Sequence, residues 1–276
     1  MIQEDINFEK LKKHSGNLLK VHIYENRSIN NCPHCQNKNY IKFGKYDGIQ
    51  RYRCRECKKT FSKTTKSLYS YSKKQPEKWI QFIELFIQKK SLRTCSKILN
   101  INIKTAFLWR HKIMQFMKPY VMAESLEGKV FITKSIIKEN FKGCRNIKIK
   151  DRKNICIVCA KDRRDSMVVL PICKQNFDKK NFDEIIYSRI KSTSYIVPDN
   201  DNYMMFIAKK HNKEVIINAK LECCIKYFRL ALKRWLGGFR GVATKYLESY
   251  LSYYILFNVY KKFNSLDFTY TLCQLN

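Results

Sequence analysis

Three consecutive stretches in the first half of the chain repeat apolar residues at helical spacing. In QPEKWIQFIELFIQKK, residues 75–90, Trp79, Phe82, Ile83, Phe86 and Ile87 fall on one face, and Pro76 stands where a first helical turn tolerates proline. Ser91 is placed to cap a short helix carrying Leu92, Cys95, Ile98 and Leu99. A third helix is expected from about Asn102 or Lys104 to Met117, with Ala106, Trp109, Ile113 and Met117 turned inward. The tight link between the last two helices reads as a helix-turn-helix, with a plain helical linker as the alternative. In the first reading Lys104, Thr105, Arg110, His111 and Lys112 are partly exposed on the recognition helix, and Trp109 anchors the core.

Beyond residue 125 the pattern changes to short apolar runs. LEGKVFITKSII predicts a strand centred on Val130 to Ile132, and NICIVCAKD and SMVVLPI predict two more, joined by the basic turn KDRRD. A helical or loop segment follows over 174–190, then a short strand in TSYIVP that ends at Pro198-Asp199. DNDNYMMFIAKK predicts a helix and EVIIN another strand. LECCIKYFRLALKRWLGGF predicts a long helix interrupted at Gly237-Gly238, and ATKYLESYLSYYILFNVYK a last amphipathic helix. Strands first, then alternating helix and strand, imply an α/β domain on a mixed sheet. The expected divisions are an N-terminal segment (1–28), a metal ribbon (29–66), the helical module (72–119), the sheet domain (125–262) and a tail (263–276).

Cysteine spacing adds chemistry. Cys32, Cys35, Cys54 and Cys57 form two CxxC pairs around an expected hairpin at Gly44 and Gly48. Four thiolates suit a closed tetrahedral Zn2+ site with a structural role, whose binding free energy folds a patch too small to fold alone. His34 lies inside the first pair, but four thiols already complete the shell. Cys156 and Cys159 share the spacing, yet they sit in a strand-like run where residues three apart face opposite ways, so they read as buried thiols.

Charge narrows the partner. The 276 residues hold 55 Lys and Arg against 23 Asp and Glu, a net +32, and a hydrophobic share of 45% excludes a disordered chain. Such an excess favours a polyanion, nucleic acid first and a membrane surface second. No apolar run reaches the roughly 20 residues that span a bilayer, and the N-terminus lacks a secretion signal. An intracellular protein is expected, in the nucleus of a eukaryote or the cytoplasm or nucleoid of a bacterium. Arg51, Arg53 and Arg55, beside Lys58 and Lys59, read either as phosphate contacts or as the solvated rim of the ribbon.

Three separated motifs carry a family resemblance: CPHC with RYRCRECKKTF, then SLRTCSKILNINIKTAFLWRHKI, then LKRWLGGFRGVATKYLESYLSYY. In this order, over about residues 30–260, the chain resembles insertion-sequence transposases of the IS1595/ISXO2-like group, relatives of the Merlin elements. The resemblance implies an RNase H-like domain behind the zinc ribbon and helix-turn-helix. It also implies binding of double-stranded DNA at the element's terminal repeats, and a homo-oligomer. Cutting and joining would use two Mg2+ or Mn2+ ions held by acidic residues. Lys233, Arg234, Arg240 and Lys245 match basic positions of the family and would face phosphate; otherwise they form a solvated helix face.

The acidic set departs from the family pattern. Where the first strand should carry an Asp followed by a Glu, GKVFITKS places Thr133 and Lys134. The second Asp aligns one residue from Asp199, which with Asp201 reads first as an ordinary turn with a helix cap. The third acid aligns near Glu222, otherwise a surface glutamate. Mg2+ or Mn2+ is therefore expected only if catalysis persists. Three readings follow: a transposase-derived DNA-binding protein with weakened or lost catalysis, an active transposase with a displaced acidic set, or a zinc protein of transcription-factor or structural type.

Overall fold

The computed structural model describes residues 28–46, 48–74, 76–142, 152–211, 219–239 and 241–259, with side chains described throughout these except at 76, 219–226, 258 and 259. The chain divides into two compact units, one reaching Phe116 and the other spanning Met117–Lys261.

The first unit opens with a three-stranded antiparallel sheet in the order β1-β2-β3: β1 is Tyr40–Tyr46, β2 Ile49–Cys54 and β3 Thr60–Ser62. The β1–β2 hairpin turns at Gly48, whose φ of 74° suits glycine, and the register slips between Lys42 and Lys45, where Gly44 also has positive φ. One face of this sheet packs Tyr40, Tyr52 and Phe61 ring against ring, over Cys32 and Cys54.

Three helices follow: α1 (Pro76–Ile87), α2 (Leu92–Leu99) and α3 (Ile103–Val121). Ser91 caps α2, its hydroxyl accepting from the Thr94 amide, and Asn100 ends it in the left-handed region, leaving a connection of residues 100–102. Trp79 and Trp109 stack with ring centres 4.0 Å apart and Phe82 meets Trp109 edge-on, so the indole anchors the helical core as the periodicity implied. Ala106, Trp109 and Ile113 are buried as expected, whereas Ile98 is exposed because Cys95 and Leu99 supply the inward face of so short a helix.

The second unit is built on a four-stranded mixed sheet in the order β6-β5-β4-β7, where β4 is Lys129–Lys138, β5 Asn154–Lys161, β6 Met167–Lys174 and β7 Tyr195–Pro198. β4 pairs antiparallel with β5 and parallel with β7. β5 is buried along nearly its whole length, which explains its unbroken apolar run. One face, through Val130, Ile132, Cys156 and Val158, packs on α4 (Lys179–Ile185) and α5 (Asn202–His211). The other face, carrying Thr133 and Cys159, meets α6 (Ala219–Gly238) and α7 (Leu247–Val259): Arg229 of α6 bonds Thr133, and Tyr254 of α7 lies near Cys159. The expected strand in EVIIN lies outside the described residues. The long helix ends at the two glycines. Among the described residues no helix is long and apolar enough to cross a membrane.

Candidate functional site

The ribbon cysteines are brought together by two copies of one backbone turn. In the first, the Cys32 amide donates to the Asn37 carbonyl; in the second, the Cys54 amide donates to that of Lys59, the same five-residue step. The residue after each pair, Gln36 and Lys58, has φ near 60° (63° and 58°), which turns the chain back under the thiols. The Arg55 amide donates to the Asn39 carbonyl and ties the two turns together. All four Sγ atoms lie within 4.8 Å of one another, with Cys32–Cys57 at 3.7 Å and Cys35–Cys54 at 3.5 Å. A tetrahedral zinc with bonds of about 2.3 Å needs sulfur–sulfur edges of about 3.8 Å. The donor set and its spacing therefore fit a metal ion such as zinc. Four thiolates would leave no open position on such an ion, which would hold the fold and supply no reaction chemistry.

The basic residues expected to meet phosphate divide by position. Arg53, Arg55, Lys104, Lys233, Arg234 and Lys245 are exposed, and Arg51 is partly exposed. Arg240 lies outside the described residues. Arg110 corrects the expectation: it is only 4% exposed, and its guanidinium donates to the Lys90 carbonyl. Lys112 is half-buried, donating to the Ser70 carbonyl at 2.7 Å and lying over the Trp79 ring, and burial pulls its ammonium down to about 8. His111 is buried too. A helix packed on two neighbours turns its middle inward, so of the expected basic set only Lys104 at its start faces solvent.

In the sheet unit, β4 and β7 run parallel, so Thr133 and Asp199 lie side by side beyond the last paired residues, Ile132 and Pro198. The Asp199 amide donates to the Ile132 carbonyl and fixes the turn. Its carboxylate is 5% exposed and needs compensation. The Thr133 hydroxyl donates to Oδ2 at 2.6 Å, the Asp201 amide donates to Oδ1 at 3.1 Å, and the Arg229 guanidinium from α6 pairs directly with Oδ2. Arg229 Nε also donates to the Thr133 hydroxyl at 2.8 Å, closing a three-residue ring of contacts. Burial lowers the arginine's affinity for its proton, yet a guanidinium stays charged at neutral pH.

Asp201 behaves differently. Its Oδ1 accepts from the Tyr203 amide at the start of α5, and its Oδ2 pairs with Lys134 at 3.0 Å. Lys134 also lies 4.2 Å from the Tyr203 ring centre. Thr133 and Lys134 are neighbours on one strand and point to opposite faces. Asp199 and Asp201 are therefore drawn to opposite sides of the sheet, each held by its own cation. Glu222 falls in the first turns of α6, where side chains lie outside the described residues.

Arg229 was missed in reading the sequence. The available signal was its spacing: it lies four residues before Lys233 on a helix already expected to pack on the sheet, and a threonine in place of an acid calls for a donor network.

No family model matches the chain. Its sequence is similar, at 22% identity over 256 residues, to an uncharacterized protein in transposable element ISH50 of Halobacterium salinarum; the likeness covers 80% of this chain and 82% of that protein.

Proposed function

We propose that this chain is a transposase-derived DNA-binding protein of the IS1595/ISXO2-like kind, in which an RNase H-like nuclease site has been closed by an arginine. The similarity to a transposable-element protein along most of both chains supports the origin. The strand order β6-β5-β4-β7, with β4 and β7 parallel and the other neighbours antiparallel among the described strands, supports the RNase H-like reading of the sheet unit. A four-cysteine cluster that fits zinc, three helices with a tight link between the last two and a net charge of +32 support DNA as partner, with element terminal repeats as the site. By the resemblance the working form is a homo-oligomer.

The contact of Arg229 with Asp199 carries the claim about catalysis. Two-metal chemistry needs several carboxylate oxygens around divalent ions a few ångströms apart. Here the Asp199 carboxylate is neutralised by a guanidinium, the neighbouring position on β4 is a threonine, and Asp201 is held by Lys134 on the opposite face. A divalent ion at Asp199 would have to displace the Arg229 guanidinium and sit beside a second positive charge, which electrostatics opposes.

The test is a paired binding and cleavage assay on the purified, zinc-loaded protein with duplexes from the ends of its element, in Mg2+ or Mn2+. Specific binding with no nicking or joining is expected, unchanged in Glu222→Ala. Metal-dependent cleavage that disappears in Asp199→Ala or Glu222→Ala would replace this reading with an active transposase. Absence of DNA binding would favour a zinc protein of structural type.

A further inference from the structure

The second face of the ribbon sheet carries none of the four clustered thiols, and Arg53 Nε ties it to the cysteine turns by donating to the Lys58 carbonyl at 3.4 Å. The thiols and the Tyr40, Tyr52 and Phe61 core lie on one side. Strand alternation puts Ile41 and Phe43 of β1, Arg51 and Arg53 of β2, and Thr60 and Ser62 of β3 on the other, since Ile41 is paired with Arg53, Arg53 with Thr60 and Arg51 with Ser62. The apolar residues there are open to solvent: Tyr46 is 69% exposed, Ile41 41% and Phe43 39%. The two guanidinia lie against these rings, Arg53 at 5.4 Å from the Phe43 ring centre and Arg51 at 5.7 Å from it and 5.9 Å from that of Tyr46.

Exposed rings cost solvation and contribute nothing to the miniature core opposite, so this face is shaped for something that stacks and carries negative charge. Duplex DNA meets only half of that description: its phosphates suit the arginines, but its base faces are hidden in the stack. An unpaired strand offers both phosphate and open base faces, and aromatic platforms with flanking cations bind it with little regard to sequence. The geometry points to this face as a binding platform for a few unpaired DNA nucleotides, as at the opened end of a duplex.

This inference rests on the DNA-binding reading above and goes beyond it in naming the form of DNA. Fluorescence anisotropy on the full-length, zinc-loaded protein would compare a blunt duplex, a forked duplex with one unpaired arm, and the same fork with abasic sites in that arm, which keep its phosphates and remove its bases. Wild type should bind the fork on the order of tenfold more tightly than either other probe, since each stacked base contributes about that factor. Phe43→Leu/Tyr46→Leu, with zinc content unchanged to show that the ribbon is folded, should lose the preference for the fork and keep duplex affinity within about twofold. Equal binding of fork, abasic fork and duplex by wild type, or a fork preference that survives in the variant, would overturn the platform while leaving duplex binding intact. Failure to bind any probe would overturn the DNA-binding reading itself.

Discussion

Asp199 is a buried carboxylate whose two oxygens are both engaged, and the identity of its partners decides what it can do. With Thr133 and Arg229 in contact it is a structural anion. Arg229→Met would leave the charge buried without its cation. Breaking a buried pair costs about 3–5 kcal/mol, and the 38% exposure of the arginine side chain screens that to roughly 2 kcal/mol. Urea denaturation should show the loss, and Asp199→Asn/Arg229→Met should recover most of it; an unchanged midpoint in the single variant would mean the contact is idle. Lys112 gives a pH prediction with a definite sign. Its folded value, about 8, lies below the 10.5 of an ordinary lysine, so between these values the unfolded chain holds the extra proton. The lysine therefore favours the fold most above 10.5, and that contribution is lost as pH falls through about 8. Lys112→Met should flatten the alkaline rise in melting temperature over this window and raise stability at pH 7. A parallel profile in the variant would contradict the burial argument.

Elements follow the apolar pattern closely where one face dominates. Trp109→Ala should cost about 3–5 kcal/mol, because the indole stacks on Trp79 and meets Phe82, whereas Ile98→Ala should be nearly neutral, since that side chain is exposed. Thermal melts of the two variants separate these cases. A metal held by the four cysteines would support the ribbon and not the sheet unit: Cys54→Ser or chelation should open residues 28–66 to proteolysis while the core of Met117–Lys261 stays protected. Hydrogen exchange that collapsed in both units together would oppose this. These elements were legible because their signals are local: a CxxC turn, a serine cap, an alternation of faces. Arg110 and Arg229 were not, because the pattern of a single helix does not say which charged residue a neighbouring helix or strand will cover. Asp199 and Asp201 illustrate the same limit, since two acids at positions i and i+2 look like one cluster in sequence and are parted by the sheet in space.

At the scale of the whole molecule, +32 on 276 residues makes the proposed contact with DNA an electrostatic one. Phosphate contact by exposed Arg and Lys predicts a steep, linear fall of log affinity with log salt, to which buried Arg110 contributes nothing. Charge reversal at exposed Arg55 should reduce that slope, and charge removal at Arg110 should instead lower stability. The central claim, that an arginine now fills the place of catalytic metal, can be read directly by titrating the zinc-loaded protein with Mn2+ and counting bound ions by electron paramagnetic resonance. No Mn2+ should bind at Asp199 at millimolar concentration in the wild type, and a site should appear in Thr133→Asp/Arg229→Gln. Wild-type binding of one or two Mn2+ ions that is lost in Asp199→Asn would contradict the account.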